Sequence, residues 1–338
     1  MEDKTNTFHL ILAPPAWGKT HKLFSMIKKG KHHWIFLSPL RALAEEVAAK
    51  DQALSISTHS VSKQDCKKQL KAFFARPSGL FISTVESFCF DTFDNFKDFP
   101  VTFIFDEFHL FYKWGLDFRP QLLEALYQVA NMKANVLGLT ATANTELLQF
   151  VETDLTLGFD QVEIENFGNQ TLKYWPHKYY LYHPYFSRSL VKRFERELLL
   201  KESGCFLFFC EYRAQVHLMK ARYQALGFKA LGCVGGEVAH FLADLKETPS
   251  PDIIFSTTVL SHGVNLPTPT KIFFGYPVAD KDFWIQMCGR GGRKGERYQV
   301  FTYDAYVIPG RIKKSRHYLS TFLSDQLASL LTLFSNQH

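Results

Sequence analysis

The sequence predicts an α/β fold made of two successive, mostly parallel sheets, each flanked by helices. In the first half, short runs that are apolar at nearly every position are each followed by a segment with helical periodicity, and the second half repeats this alternation. Continuous apolar runs are typical of strands buried on both faces, as in parallel sheets. A chain of 338 residues, 46% of them hydrophobic, is long enough for two domains with separate cores. We expect one domain at 1–165 and another at 166–338.

The apolar runs define the expected strands. In the first half these are Phe8–Ala13, Trp34–Ser38, Leu54–Thr58, Leu80–Ser83, Val101–Phe105 and Val136–Thr140. In the second half they are Cys205–Cys210, Phe228–Val234, Asp252–Ser256, Lys271–Tyr276 and Tyr298–Tyr303. Helices are expected at Tyr185–Lys201, at Tyr212–Leu226 and, as a closing amphipathic element, at Tyr318–Phe334. The stretch 160–183 is aromatic, β-like and interrupted by proline, so we place the inter-domain boundary there.

Composition and charge exclude several classes of protein. The net charge of +6 suits a polyanionic partner without requiring one. The six cysteines form no C-x-x-C pair and lie mostly in apolar runs, so we expect reduced core thiols rather than a zinc site or disulfides. No apolar run approaches the roughly 18 residues that a membrane span needs. We therefore expect a cytoplasmic protein.

A phosphate-binding loop is predicted between the first strand and the first helix, where the sequence reads A-P-P-A-W-G-K-T. A turn of this kind points backbone N–H groups and a helix N-terminus at phosphate, while Lys19 reaches the β- and γ-phosphates and Thr20 holds Mg²⁺. Pro14 and Pro15 have no N–H, and alanines stand where glycines are common. A chance G-K-T in a turn is the alternative. The donors are expected to be Ala16, Trp17, Gly18, Lys19 and Thr20.

A pair of carboxylates follows the strand that ends near Phe105, in the sequence D-E-F-H. Buried carboxylates are costly unless they serve a cation or a polar ligand. We expect Asp106 to hold Mg²⁺ and Glu107 to orient or deprotonate the attacking water. A strand that simply ends in acidic loop residues is the alternative, and the nearby phosphate loop argues against it.

A third cluster lies in the second half, where the sequence reads Q-M-C-G-R-G-G-R. Gln286, Arg290 and Arg293 would share one face of a helix, although the glycines favour a helix followed by a loop. Guanidinium groups suit the charge that develops on a γ-phosphate. A flexible basic loop that touches a nucleic-acid backbone is equally compatible with the spacing.

These three clusters resemble motifs I, II and VI of superfamily 2 helicases, with motif II in its DExH form. Five further stretches resemble the remaining motifs in the family's order. They are Ser38–Glu45 for motif Ia, Ser83–Glu86 for Ib, Leu139–Thr142 for III, Phe208–Cys210 with Arg213 for IV, and Ser256–Pro267 for V. The G-V-N-L-P ending of motif V, together with motif VI, is most similar to the Ski2-like (Hel308-type) group.

The resemblance implies two tandem RecA-like domains of the P-loop NTPase fold that bind ATP and Mg²⁺ in a cleft between them. The second domain would contribute Gly263 and Asn265 to nucleotide binding and Gln286, Arg290 and Arg293 to catalysis, with one of the arginines as the arginine finger. The resemblance also implies nucleic-acid contacts at Arg41, Thr84, Arg213 and Thr257, and coupling between the two sites through His109, Thr140 and Thr142.

The leading hypothesis is an ATP-dependent translocase or helicase that moves 3′ to 5′ on single-stranded DNA or RNA. The alternatives are a nucleotide-gated clamp, or an ATPase subunit of a larger complex, and a purely structural α/β module. No glutamine-bearing adenine-recognition motif precedes Lys19, which leaves nucleotide selectivity open. The ratchet and winged-helix domains of Ski2-like relatives are also missing, so we expect a partner protein to supply strand separation. The aromatic Tyr174–Tyr185 stretch has a wedge-like composition, but a β linker packed on the second domain is the preferred interpretation.

Overall fold

The computed structural model of the protein describes residues 6–29, 32–50, 55–57, 63–93, 100–183, 187–200, 204–261 and 264–303. The chain divides into two compact units, one formed by Met1–Lys173 with His262–Asn265 and the other by Tyr174–Ser261 with Leu266–His338. The expected domain boundary between residues 165 and 166 stays a prediction. The expected closing helix at Tyr318–Phe334 lies outside the described residues.

The first unit is built on a seven-stranded sheet in the order β3-β4-β2-β5-β6-β1-β7, and every strand pair in it is parallel. Its strands are β1 (Thr7–Leu12), β2 (His33–Ser38), β3 (Ser55–Ser57), β4 (Gly79–Thr84), β5 (Val101–Asp106), β6 (Asn135–Thr140) and β7 (Gln161–Asn166). The expected α/β class is therefore confirmed for this half. All six strands predicted for it are present, with ends that differ from the prediction by no more than one residue.

Seven helices accompany this sheet in the described part of the chain. They are α1 (Lys19–Lys29), α2 (Arg41–Lys50), α3 (Lys63–Phe74), α4 (Phe90–Phe93), α5 (Phe108–Asp117), α6 (Gln121–Asn131) and α7 (Thr145–Thr153). In α6, Leu122, Leu126 and Val129 recur at helical spacing and are fully buried. The first turn of α7 is capped by Asn144, whose Oδ1 accepts a hydrogen bond from Leu147 N at 2.9 Å.

The second unit is built on a six-stranded sheet in the order β10-β11-β9-β12-β13-β8, and its pairs are again all parallel. Its strands are β8 (Lys178–Tyr182), β9 (Cys205–Phe209), β10 (Ala230–Cys233), β11 (Ile253–Ser256), β12 (Pro269–Phe274) and β13 (Gln299–Tyr303). Its described helices are α8 (Ser187–Leu199), α9 (Arg213–Ala225), α10 (Val238–Glu247) and α11 (Lys281–Cys288). The second half thus repeats the architecture of the first, as the sequence predicts.

Phenylalanine supplies much of both cores. In the first unit, the ring of Phe8 on β1 lies 5.1 Å from that of Phe108 on α5. In the second, Phe194 on α8 presents its ring to Phe208 and Phe273 with centroids 4.9 and 5.0 Å away, in edge-on geometry. Such edge-to-face pairs add about 0.5–1.5 kcal/mol each beyond simple burial. The helices are fixed against the sheets by these contacts.

Two edge strands, β7 and β8, lie in the stretch that the sequence predicts to be β-like and that we assigned to the inter-domain boundary. Along β7 the exposed Gln161, Glu163 and Glu165 alternate with the partly buried Val162 and Ile164, so the strand contains no continuous apolar run. Edge strands with one face in solvent alternate in this way. A search for uniformly apolar runs therefore misses them.

The aromatic stretch after Lys173 packs on the second unit. Tyr298 donates its hydroxyl hydrogen to Tyr174 O at 2.9 Å, and His177 N donates to Tyr298 O at 3.0 Å. Residues Lys178–Tyr182 then pair with β13 as β8. For residues 174–183, these contacts bear out the interpretation as a β linker packed on the second domain; the rest of the stretch, through Tyr185, lies outside the described residues.

Candidate nucleotide site

The sequence motifs of the first unit meet at one edge of its sheet. The carboxyl ends of parallel strands share an edge, which is where such sheets bind ligands. The phosphate loop follows β1, and motif Ia follows β2. Thr84, Asp106 and Thr140 are the last residues of β4, β5 and β6. The order of the strands thus places the first-domain candidates for catalysis and coupling at the same edge of the sheet.

The phosphate loop begins with a tight turn. Trp17 N donates to Pro14 O at 3.2 Å, and Ala16 has a φ of 63°. Proline in the second position and a positive φ in the third are the features of a type II turn, which explains why glycine is common where Ala16 stands. Trp17 N closes this turn in the structure, and its expected role as a phosphate donor stays a prediction.

Helix α1 starts directly after this turn. Gly18 has a φ of 97°, and Lys22 N donates to Gly18 O at 3.0 Å as the first turn of the helix forms. The N–H groups of Lys19 and Thr20 belong to the first turn, which has no acceptors of its own. Gly18, Lys19 and Thr20 therefore keep the geometry of a phosphate cradle.

The side chain of Lys19 turns back into this loop. Its Nζ donates to Ala13 O at 2.7 Å. Burial lowers the pKa of Lys19, while the nearby carboxylates of Glu107 and Asp106 act in the opposite direction. The fold therefore brings the loop lysine and the carboxylate pair into one electrostatic cluster, although about 87 residues of sequence separate them.

The two carboxylates differ in exposure and backbone conformation. Asp106 is buried, with 7% of its surface exposed, and its Oδ1 accepts a hydrogen bond from Glu107 N at 3.0 Å. Glu107 adopts a left-handed backbone with φ 54° and ψ 48°, at the residue that precedes α5. This conformation is unfavourable for a residue with a Cβ. It turns the backbone sharply between β5 and α5.

His109 joins this cluster to the loop after β6. Its Nδ1 lies 2.9 Å from Thr140 Oγ1 and 3.6 Å from Glu107 Oε2. The Thr140 hydroxyl donates its only hydrogen to Thr142 O at 2.9 Å and accepts from Thr142 N at 3.2 Å. Since that hydrogen is committed, Nδ1 of His109 must carry a proton and donate to Thr140. The three predicted coupling residues therefore form one hydrogen-bonded chain that starts beside Glu107.

The predicted nucleic-acid residues of the first unit lie on two neighbouring loops. Arg41 opens α2 and is exposed, with an ion pair to Glu45 at 3.0 Å. Thr84 is buried, and its hydroxyl donates to Ser87 Oγ at 3.1 Å. Its hydroxyl therefore already has a partner inside the protein, whereas Arg41 projects into solvent.

The sequence missed Arg119, which braces these two loops. Its Nη1 donates to Pro39 O at 2.7 Å, and its Nη2 forms an ion pair with Glu86. Its guanidinium also lies 5.5 Å from the centroid of the Trp114 ring. No local pattern marks this arginine, because its partners lie 80 and 33 residues away.

In the second unit, the candidates of motifs IV and V follow neighbouring strands. Arg213 opens α9 after β9, and its Nη2 lies 3.1 Å from Glu237 Oε1. Thr257 follows β11, and its N–H donates to Cys233 O at 3.2 Å. Asn265 is exposed, and Gly263 lies outside the described residues.

Motif VI has the predicted helix-then-loop form. Gln286 lies in α11, which ends at Cys288, and Arg290 and Arg293 follow in the loop. A Cβ at Gly291 would lie 2.2 Å from the Tyr298 ring, so only glycine fits there. Helix α11 also packs against the turn Thr258–Ser261, which brings motifs V and VI together within this unit.

The residues around the loop suit ATP with Mg²⁺. Magnesium prefers oxygen ligands, commonly one or two carboxylates together with substrate phosphates. Asp106 offers a carboxylate at the end of β5, and Thr20 offers a hydroxyl in the first turn of α1. The Asp106 carboxylate acts to raise the pKa of Lys19 against the effect of burial, as expected for a carboxylate near the loop lysine. Both predicted metal ligands are therefore of the right chemical type.

The chain is similar to known helicases. Residues 3–150 match the model of the DEAD/DEAH box helicase family. The chain is 27% identical to the ATP-dependent DNA helicase Q-like 4B of Arabidopsis thaliana over 226 residues, which is 65% of this chain and 19% of that protein. It is 23% identical to the RecQ-like DNA helicase blm-1 of Caenorhabditis elegans, over 84% of this chain and 30% of that protein.

These matches show that the chain is similar to helicases, and the family model covers less than half of its length. The chain spans less than a third of the length of either relative. The curated relatives are RecQ-like, so the Ski2-like subgroup is not confirmed. Within the described residues, no helix is long and apolar enough to cross a membrane.

Solved structures bear out the RecA-like fold. The S. cerevisiae Dbp5 L327V structure with RNA and ADP BeF3 gives a TM-score of 0.62 at 14% identity, over 96% of this chain and 83% of that one. The Mycobacterium smegmatis helicase Lhr with ssDNA and AMP-PNP gives 0.60 at 18% identity, over 88% and 44%. At this level of identity the likeness establishes the fold alone.

Proposed function

We propose that this chain hydrolyses ATP while it moves on single-stranded nucleic acid. The observation that carries the proposal is the cluster of Lys19, Asp106, Glu107 and His109 at the carboxyl edge of the first sheet. A lysine in a phosphate loop beside two carboxylates serves phosphoryl transfer, in which positioning and charge supply most of the catalysis. The helicase relatives supply the link to nucleic acid.

Each residue of the cluster has a distinct task in this proposal. ATP, when bound, supplies the phosphoryl group, and Mg²⁺, when bound, supplies positive charge beside the phosphate oxygens. Lys19 exchanges its hydrogen bond to Ala13 O for one to a phosphate oxygen. Glu107 orients the attacking water and accepts its proton, and His109, which bonds Thr140 through Nδ1, lies beside that carboxylate with Nδ1 3.6 Å from Oε2.

The second unit is proposed to complete the reaction through motif VI. We assign Gln286 to catalysis, and Arg290 and Arg293 to the charge that develops on the transferred phosphoryl group. Gly263 and Asn265 are assigned to nucleotide binding on the same grounds. Replacing either arginine with alanine should lower turnover more than ATP affinity.

The strand is proposed to run over the loops that carry Arg41, Thr84, Arg213 and Thr257. Contacts of this kind reach phosphates and sugars, so they leave DNA and RNA undistinguished. Movement 3′ to 5′ and membership in the Ski2-like subgroup are inferences from motif sequences, and the RecQ-like relatives offer a different subgroup. The motif set also suits a cytoplasmic location.

A second candidate is a nucleotide-gated clamp, or an ATPase subunit with little unwinding of its own. It is favoured by the composition of the described chain, in which no segment beyond the two sheets and their helices forms a strand-separating element. In that case a partner protein supplies strand separation. Efficient unwinding of long duplexes by the purified chain would reject this candidate.

ATP turnover with and without single strands tests the main proposal. We expect single-stranded DNA or RNA to stimulate hydrolysis, and Glu107→Gln to retain ATP binding while turnover falls by about 100-fold or more. Glu163→Gln is the matched control, because Glu163 is exposed on the edge strand β7 and should leave turnover unchanged. Absence of stimulation by either kind of strand, or normal turnover in Glu107→Gln, contradicts the proposal.

A further inference from the structure

Two aromatic side chains beside the phosphate loop have no part in the function described so far. Trp17 lies in the loop itself, and its ring centroid is 4.7 Å from that of Phe167, with an interplanar angle of 34°. Phe167 directly follows β7 and remains 49% exposed. A large aromatic ring that is half exposed has surface available for a ligand.

The position of Phe167 is fixed by its backbone. Its N–H donates to Leu12 O at 2.7 Å, which ties it to the end of β1 where the phosphate loop starts. Asn166 Oδ1 accepts from Gly168 N at 2.9 Å. Gly168 has a φ of 137°, and a Cβ there would lie 3.1 Å from Pro14 Cδ. The ring is therefore held at the loop by main-chain bonds and a close glycine contact.

The rest of this segment, Asn166–Lys173, is anchored to both loops of the site. Lys173 Nζ donates to Ala16 O at 3.4 Å. Asn169 accepts from Ala143 N and donates to Ala143 O, each at 2.8 Å. The segment thus spans from the phosphate loop to the loop after β6, and hydrogen bonds to both loops fix its position.

One lysine, Lys22, lies close to both rings of the aromatic pair. Lys22 Nζ lies 3.7 Å from the centroid of the Trp17 ring and 5.8 Å from that of Phe167. Lys22 is exposed and lies one turn along α1 from Lys19. An anionic ligand with a flat aromatic part would match both features: phosphates for the lysines, and a ring for the aromatic pair.

We propose that Trp17 and Phe167 form a stacking surface for the base of the nucleotide whose phosphates the loop binds. This inference rests on the proposed function, because it assigns a further part of the same ligand. Stacking uses the π-face that every base has, so it confers affinity with little selectivity. We therefore expect ATP and GTP to bind with affinities within about 5-fold of each other.

Comparing ATP with inorganic tripolyphosphate separates the base from the phosphates. We expect Phe167→Ala to weaken binding of ATP and GTP about 10-fold, and tripolyphosphate less than 2-fold. Phe167→Trp should restore ATP binding, because it restores the aromatic face. Leu157→Ala is the control, since Leu157 is a 90% exposed apolar residue in the same unit. Trp17→Phe tests the second ring without removing stacking.

The outcomes are distinct. Equal weakening of ATP and tripolyphosphate by Phe167→Ala would mean that the residue only shapes the loop, and unchanged ATP binding would mean that the base lies elsewhere. Either result overturns the inference but leaves the phosphate loop intact. If the unaltered chain binds neither ATP nor tripolyphosphate, the proposed function itself fails. Preference for ATP over GTP by more than about 100-fold would also count against stacking as the source of base affinity.

Discussion

At the scale of single residues, Glu107 combines a proposed catalytic role with a strained backbone conformation. Its left-handed backbone, with φ 54°, is unfavourable for a residue that carries a side chain. The strain, of order 1–3 kcal/mol, persists because the surrounding contacts over-determine the turn. Asp106 bonds the Glu107 N–H, and Leu110 N donates to Glu107 O at 2.8 Å. These two bonds hold the backbone of Glu107 in this conformation at the start of α5.

His109 gives the first prediction at this scale. Its Nδ1 bonds Thr140 Oγ1 and lies 3.6 Å from Glu107 Oε2, so loss of this donor should uncouple the loop after β6 from the Glu107 carboxylate. We expect His109→Leu, which fills a similar volume, to lower strand-stimulated turnover about 10- to 100-fold with little change in ATP affinity. His109→Asn keeps an N–H near the Nδ1 position and should recover part of that loss. Turnover and nucleotide affinity are measured together for each variant.

Two outcomes would contradict this role of His109. If His109→Leu and His109→Asn lose the same activity, the donor at Nδ1 is not what matters. A loss of thermal stability that parallels the loss of turnover would assign His109 to the core, where it is 2% exposed.

At the scale of elements, the phosphate loop is a turn that pre-orders the start of a helix. Proline fixes the second position of the turn, and Ala16 takes the positive φ that glycine would take at lower cost. The turn then delivers Gly18 and α1 with their N–H groups at the same edge as Asp106. The departures from a glycine-rich pattern therefore change the energy of the loop and leave its geometry unaltered.

Arg119 gives a prediction at this scale, because it joins two loops instead of belonging to one. It bonds Pro39 O after β2 and Glu86 after β4. We expect Arg119→Ala to weaken single-strand binding about 3- to 10-fold on all sequences, because both loops lose a shared anchor. Nucleotide binding should not change. Fluorescence anisotropy with labelled strands of two sequences measures the effect.

Arg76→Ala is the charge-matched control for this variant. Arg76 is exposed just before β4, at the end of that strand opposite to Glu86. Its replacement removes the same charge as Arg119→Ala at a position away from the two loops. If both variants weaken strand binding equally, net charge is responsible and the bracing role of Arg119 is rejected. Selective loss with one sequence would contradict it too.

In the second unit, one buried ion pair connects an outer helix to the sheet. Lys271 on β12 pairs with Glu197 on α8, and Arg193 Nε lies 2.7 Å from Glu197 Oε1. Both members of the Lys271–Glu197 pair are almost fully buried. Replacing Glu197 would take its carboxylate partner from the buried Lys271, which costs about 3–5 kcal/mol, whereas replacing Lys271 would leave Glu197 paired with Arg193. The pair fixes the position of α8 against the sheet, although Glu197 and Lys271 are 74 residues apart in the chain.

At the scale of the whole molecule, all six cysteines are free and buried, as their positions in apolar runs predict. Burial raises the pKa of Cys205, Cys210 and Cys233 to about 12, from an ordinary value of 9.0. Each is then a thiol at pH 8, and its thiolate fraction is roughly a thousandfold lower than in an unfolded chain. The molecule therefore protects its thiols by folding.

Thiol labelling tests this protection. We expect the native protein to react with a thiol reagent at pH 8 at least about 100-fold more slowly than the denatured protein. Since these pKa values are raised by folding, the stabilisation they report is fully present below about pH 9 and is lost as pH rises toward 12. Unfolding measured by fluorescence should accordingly require less denaturant above pH 9. Rapid native labelling of any of the six thiols would refute the prediction.

Several features of this protein could be read from local sequence. Continuous apolar runs identify the central strands, because a strand buried on both faces has no polar positions. The loop around Lys19 and the pair Asp106–Glu107 follow such runs directly, and parallel strands must bring their ends to one edge. Strand and helix pattern therefore sufficed for the fold class and for the first-domain nucleotide candidates.

Other features depend on tertiary structure. The edge strand β7 has no continuous apolar run, and the pairing of β7 and β8 depends on β1 and β13. Phe167 meets Trp17, Arg119 meets Pro39, and His109 meets Thr140 only after the strands are ordered in the sheet. Hydrophobic period and turn chemistry act between near neighbours in the chain, whereas these contacts join residues 31 or more positions apart. The sequence by itself determined which strands are buried and where the phosphate loop lies; strand order alone decided which side chains surround that loop, because only packing brings distant segments together.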